Sequence, residues 1–166
     1  MTIKINLKKS TLKNASSNLV LFTDEKFTTN PLKKYISSSE FYYITDLLKS
    51  VDLSKNLFVF ELSSKKKIVL VSVKKNIKNS DIESLGAELY GRINYGKKCE
   101  YFINPDSITV NQKNFIGHFL HGLKLKSYEF KKYKTKKESR IILINIFGNK
   151  NKPTTQNQLK FKAKIL

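Results

Sequence analysis

Two histidines, His118 and His121, stand three residues apart in the apolar run Asn-Phe-Ile-Gly-His-Phe-Leu-His that begins at Asn114. On a helix such a pair shares one face and could hold a metal ion between two rings. No third ligand stands near them, and no acidic residue lies on the helix expected there, so they are read as bordering a packed face. Cys99 is the sole cysteine; it excludes an intramolecular disulfide, and beside an expected strand it reads as a small core residue rather than a nucleophile. No Ser, His and Asp combination takes the frame of a nucleophile elbow. The carboxylates are scattered, with only Asp24 and Glu25 adjacent, whereas a pair of divalent ions needs several converging acids. Gly86, Gly91 and Gly96 recur every five residues on a helical pattern, which is no phosphate-cradling frame. Neither catalytic nor metal-ligating residues are expected in this chain.

A binding surface is the other possibility. Tyr128, Phe130 and Tyr133 alternate with Lys131, Lys132, Lys134, Lys136 and Lys137, a mixture able to stack on bases while neutralising phosphates. The formal net charge of +19 points the same way. Against it, only Arg92 and Arg140 are arginines, and arginine is the residue suited to bidentate phosphate and base contacts. Abundant Lys, Asn, Ile, Phe and Tyr are also what A/T-rich codons supply. Nucleic acid is therefore a possible partner and not the favoured one.

These side chains need a scaffold, and 166 residues with 40% hydrophobic content allow one domain with a real core. The start has no unbroken apolar stretch of the signal-peptide kind, and no run is long enough to span a membrane, so a cytoplasmic protein without a membrane partner is expected. Thr2 to Leu7 alternates as a half-buried strand, and Lys8 to Ser17 reads as a loop. Asn18 to Asp24 is a buried strand. A helix from about Glu40, capped by Ser38 or Ser39, presents Phe41, Ile44, Leu47, Leu48 and Val51. Leu57–Leu62 and Lys67–Val73 are strands joined through Ser63 to Lys66. Ser80 and Glu83 have capping-box spacing ahead of a helix carrying Ile82, Leu85, Leu89 and Ile93. Cys99–Ile103 is a strand, Pro105-Asp106 a turn, and Ile108–Val110 a further short strand. The helix after a cap at Asn111 puts Phe115, Ile116, Phe119, Leu120 and Leu123 on one stripe, and beyond Leu123 the period breaks. Arg140–Phe147 is the last strand. Strands alternating with helices, several of them wholly apolar, predict an α/β fold: a three-layer α-β-α arrangement with a mixed sheet of about six strands.

The order Gly-Leu-x-Leu-x-Ser-Tyr-x-Phe-x-x-Tyr-Lys after an apolar helix resembles the end of the N-terminal domain of the M17 leucyl (cytosol) aminopeptidases. There the segment runs Glu-Gly-Leu-x-Leu-Gly-Ser-Tyr-x-Phe-x-x-Tyr-Lys. Gly122, Leu123, Leu125, Ser127, Tyr128, Phe130, Tyr133 and Lys134 match it residue by residue. His121 replaces the usual Glu, and Lys126 an often-present Gly. The resemblance implies a macro-domain-like sheet between helix layers over residues 1–148, with 149–166 as a polar linker beginning the connection to an absent catalytic domain.

It also implies a role without chemistry: a domain contributing to assembly of a metal-dependent exopeptidase that removes N-terminal residues from peptides. In that family the two-metal Mn or Zn site lies in the C-terminal domain. Its signature, Asn-Thr-Asp-Ala-Glu-Gly-Arg-Leu, does not occur in these residues, so this chain alone is expected to be inactive. The implied partners are its own catalytic domain and further copies, six in the full-length enzymes. The contrasting expectation is a stand-alone basic macro-like module binding nucleic acid or ADP-ribose. Macro domains hold ADP-ribose with a glycine-rich loop, yet the residues after Val73 are Lys-Lys-Asn-Ile-Lys-Asn, without glycine.

Overall fold

Six strands form one sheet in the computed structural model, which describes residues 2–7, 18–93, 98–133 and 141–147, with 2, 7, 98 and 129–133 described by backbone alone. The strands are β1 (Thr2–Leu7), β2 (Asn18–Thr23), β3 (Leu57–Glu61), β4 (Lys67–Ser72), β5 (Lys98–Ile103) and β6 (Ile141–Ile146), ordered β1-β6-β5-β2-β4-β3. All neighbours run parallel except β3, which pairs antiparallel with β4 as a hairpin. The apolar runs at β2 and β4 are adjacent interior strands, and both of their faces are buried. Continuous hydrophobic strands belong in that position, because helices cover a parallel sheet on both sides.

Alternation within each strand sorts the core into two layers. Val20, Phe22, Val69, Val71, Tyr101, Ile103, Ile142 and Ile144 face α2 (Asn79–Ile93) and α3 (Phe115–Tyr133). Leu19, Leu21, Ile68 and Leu70 face the opposite way, towards α1 (Ser38–Leu48) and the 3-10 turn Asn30–Lys34. The fold is thus a three-layer α/β arrangement with three α-helices among the described residues. Ile3 and Ile5 of the edge strand β1 pack partly buried against the α2/α3 layer.

Several boundaries differ from the sequence expectation. The cap of α1 is Ser37, not Ser38 or Ser39: its hydroxyl accepts from Glu40 N–H while the Glu40 carboxylate accepts from Ser37 N–H. Val51 falls past the end of that helix and is exposed. The spacing of Ser80 and Glu83 makes no capping box, because α2 already begins at Asn79 and Asp81 and Ile82 N–H both reach Lys78 C=O. Residues 108–110 form no strand; a 3-10 turn, Pro105–Ser107, leads instead into the approach to α3. Asn111 does not cap α3. The helix starts at Phe115, immediately after Asn114 at φ 60, a left-handed position that asparagine tolerates.

The largest difference is the length of α3, which runs through the motif to Tyr133 and so also carries Glu129. The stripe Phe119, Leu123 continues four residues on at Ser127, which is buried and donates its hydroxyl to Lys124 C=O at 2.6 Å. Leu125 and Tyr128 point outward instead. A polar residue inside and apolar residues outside hide the helical period.

Candidate functional site

Open α/β sheets bind ligands beyond the carboxyl ends of their strands, where neighbouring strands send their connections to opposite faces. Here that place is β2. Its connection leads to α1, while β4 and β5 on either side lead to α2 and α3 on the other face. What lies there is the chain itself. The segment Asn104–Ser107 folds over the end of β2: Asn104 N–H reaches Val20 C=O, and Phe22 N–H donates to Ser107 Oγ at 2.9 Å. The Ser107 hydroxyl donates in turn to Asn104 C=O at 2.7 Å, and Asn104 Oδ1 accepts from Asp106 N–H. Asn104 and Ser107 are both buried, so these bonds satisfy polar groups that would otherwise be costly.

The loop after β2 is likewise self-supplied. Asp24 Oδ1 accepts from Lys26 N–H (3.1 Å) and Thr28 N–H (2.9 Å), and its Oδ2 from the Thr28 hydroxyl (2.6 Å). Burial alone would raise the Asp24 carboxyl, but the Thr28 and Lys26 bonds outweigh it and hold the group below the ordinary range. A carboxylate in a nest of backbone amides occupies the position an anion would take and repels one that approaches. Glu25 Oε1 takes Lys75 N–H in the same manner, tying this loop to the one after β4. Phe27 sits at φ 54, rare for a bulky side chain, and is held by burial and an edge contact with Phe58 at 4.9 Å. The arrangement braces two loops with acids and offers no phosphate cradle.

The histidine pair has a different surrounding from the one the sequence indicates. His118 and His121 do border the packed face, and their Nδ1 atoms both meet Glu83 Oε1 on α2, at 3.4 and 3.0 Å. Burial would raise the Glu83 carboxyl, yet the bonds and charges of His121 and His118 bring it below normal. Glu83 escaped sequence reading because 35 and 38 residues separate it from its partners, and because its distance from Ser80 suggests a cap. Among the described residues no group of three or more His, Cys, Asp or Glu is placed to hold a metal ion. The donor set of a two-metal peptidase site is not met among the described residues. Cys99 is partly buried against the α2/α3 core.

Gly122, the first motif residue, lies at the tightest point of the α2–α3 crossing. A Cβ built there would stand 1.8 Å from Glu83 O, and one on Gly86 of α2 would stand 1.9 Å from Phe119 O. Only glycine lets the two backbones approach this closely. Of the remaining motif residues, Leu123 and Ser127 are buried and Leu125 and Tyr128 exposed. Phe130 and Tyr133 lie on α3 and are described by backbone alone, while Lys134, the Lys136–Lys137 pair, the Lys8–Ser17 loop and the 149–166 linker lie outside the described residues. No helix among the described residues is long and apolar enough to cross a membrane.

No protein-family model matches the chain, and no curated protein matches it. Solved structures do. A tomato leucine aminopeptidase mutant aligns over 97% of this chain and 35% of its own, at 14% identity and a TM-score of 0.60. A cytosol aminopeptidase from Coxiella burnetii aligns over 96% of this chain and 30% of its own, at 13% identity and a TM-score of 0.53. The macrodomain of Thermus aquaticus DarG is covered over 100% of its length by 89% of this chain, at 11% identity and a TM-score of 0.55. The chain therefore spans about a third of the aminopeptidase chains it matches. At these identities the likeness is one of fold: a mixed, macro-like α/β sheet of the kind that also forms part of leucine aminopeptidases.

Proposed function

We propose that this chain is the N-terminal, non-catalytic domain of an M17 leucyl aminopeptidase, acting in assembly and regulation of a metal-dependent exopeptidase. The observation that carries the reading is a coincidence of two features. The chain aligns over nearly its whole length with a third of an aminopeptidase, and its Gly122–Lys134 segment has that family's residue order. The self-filled carboxyl edge of the sheet fits a scaffold better than a ligand-binding module. In this reading the motif residues divide by burial. Gly122, Leu123 and Ser127 set the α2–α3 packing, and the exposed Leu125 and Tyr128 offer contact area to a catalytic domain or a neighbouring subunit. The Mn or Zn ions, the peptide substrates, the hexamer and the cytoplasmic location belong to the proposed whole enzyme.

The test is the reading frame beyond Leu166. The proposal expects a Lys, Asp and Glu metal-site signature of the Asn-Thr-Asp-Ala-Glu-Gly-Arg-Leu kind to follow, and a frame without one overturns it. A second reading, a stand-alone module binding ADP-ribose or nucleic acid, has one observation in its favour: the DarG macrodomain is matched over its entire length. Calorimetric titration of the purified chain with ADP-ribose, and a low-salt gel shift with single-stranded DNA, separate the two. The scaffold reading expects no heat and no shift.

A further inference from the structure

The sheet has two edge strands, and they are finished differently. β1 carries an exposed Lys4 in mid-strand, and lysine is a common guard on an edge that must not pair with another molecule. β3, Leu-Phe-Val-Phe-Glu, has neither lysine nor proline. We propose that β3 is a self-association edge: two copies of this chain pair their β3 strands antiparallel about a two-fold axis at Val59, joining their sheets into one. This contact rests on β3 alone, and it holds whether or not a catalytic domain follows Leu166.

Hydrogen-bond parity decides which backbone groups are free. Ser72 N–H donates to Asn56 C=O, and Leu62 N–H to Lys66 C=O, at the two ends of the β3–β4 ladder. Bonded pairs alternate along an antiparallel ladder, so Phe58 and Phe60 also turn their peptide groups to β4. Leu57, Val59 and Glu61 turn theirs outward, and among the described residues nothing pairs with that side. A two-fold at Val59 uses these three positions and no others. Val59 meets the partner's Val59, Leu57 meets the partner's Glu61, and each pair exchanges both of its N–H···O=C bonds.

The side chains fit the same axis. Phe58 falls opposite the partner's Phe60, and Phe60 opposite the partner's Phe58, at non-hydrogen-bonded positions where side chains come closest. Within one copy Phe58 already lies 4.9 Å from Phe27 and 6.3 Å from Phe60, so the pairing runs two aromatic clusters together. On the other face, where Leu57 and Val59 border the α2/α3 core, the two β-branched Val59 side chains meet. An unrelated extended peptide would satisfy the backbone but not this symmetric set of apolar pairs, which selects a second copy.

A five-residue edge is short, so the contact is weak and reversible. Two copies of formal charge +19 repel each other, and salt screens that repulsion. Pairing through β3 therefore strengthens as salt rises, the reverse of binding to a polyanion.

Sedimentation equilibrium of the full chain over about 10 μM to 1 mM, at low and high salt, measures the association. Amide hydrogen exchange at the two ends of that range reads its location. A monomer–dimer equilibrium that strengthens with salt is expected, with the Leu57, Val59 and Glu61 amides protected only at high concentration. The Phe58 and Phe60 amides are protected at both. Val59→Pro removes the central outward N–H without touching the β4 ladder, and should weaken dimerisation about tenfold or more. A monomer throughout overturns the proposal, as does a dimer that leaves those three amides free or survives Val59→Pro unweakened. Protection of the three amides that persists on dilution also overturns it, because the edge is then covered from within the chain. Should Val59→Pro not fold, the concentration dependence of the three native amides decides alone.

Discussion

The two helix layers are attached to the same sheet by different physics. On one side α2 and α3 meet backbone to backbone through Gly86 and Gly122. Beneath them Phe22, Phe115 and Phe119 form an aromatic cluster with ring centroids 5.3 to 6.3 Å apart. On the other side the contacts are polar fastenings around a smaller core. The Ser37–Glu40 capping box is extended by the Glu40–Lys66 ion pair. Thr45 donates to Thr29, and the Lys33 ammonium lies 4.9 Å from the centroid of the Phe41 ring. Tyr42 and Tyr43 of the same helix face solvent. One layer is held by shape, the other by charge and hydrogen bonding, so different perturbations should find each of them.

Shape should fail most abruptly. Gly122→Ala and Gly86→Ala each push a methyl into a carbonyl less than 2 Å away, and we expect each to cost about 3 kcal/mol or more, read as a loss of denaturation midpoint. If either is neutral, the close crossing does not exist in solution. Phe119→Ala, which empties the centre of the aromatic cluster, should cost roughly 3–5 kcal/mol.

The α1 layer should respond more mildly and in a different manner. Ser37→Ala removes one cap and should cost about 1 kcal/mol. The Glu40 carboxyl is raised by burial but brought below its ordinary value by bonds from Lys66 and Ser37. A depressed carboxylate stabilises the fold above its unfolded value, near 4.5, and that contribution is lost as pH falls through the folded one. Glu40→Gln should therefore flatten the acid limb of the stability profile below about pH 4.5 while changing little at pH 7 beyond the lost pair. An unchanged acid limb would remove the electrostatic half of the contrast.

The smallest effect has the opposite sign. At Gly91, on the same helix as Gly86, a Cβ meets nothing within 4 Å, so Gly91→Ala should stabilise the protein by about 0.5–1 kcal/mol through helix propensity. Two glycines five residues apart, one that accepts a methyl and one that cannot, form an internal control.

Much of this architecture was readable before any coordinates. The largely apolar runs at 18–23 and 67–72 are two adjacent interior strands, and the alternating Ile3 and Ile5 belong to an edge strand. The spacing of Ile82, Leu85, Leu89 and Ile93 is the buried stripe of α2. What the residues did not disclose were one local side-chain bond and several contacts between distant segments. Ser127 looks like an interruption of a helix until its hydroxyl is seen bonded to Lys124 C=O. Glu83 looks like a cap until the histidines of another helix arrive. Gly86 and Gly122 look like flexible positions until each is set against the partner backbone. Three-residue spacings are local information, whereas the occupant of a helix crossing is decided by topology.

Topology has one more effect, on the timetable of folding. The first strand adds to the sheet only alongside the last, with Thr2 opposite Ile141 and Leu7 opposite Ile146. At about 5–20 residues per second, a ribosome needs roughly 7–28 s to make the chain between them. For all of that interval β1 lacks the strand it pairs with, and β5, once made, keeps a bare flank until β6 follows. The emerging protein must wait, its opening segment unpaired, until the slot beside it has been translated.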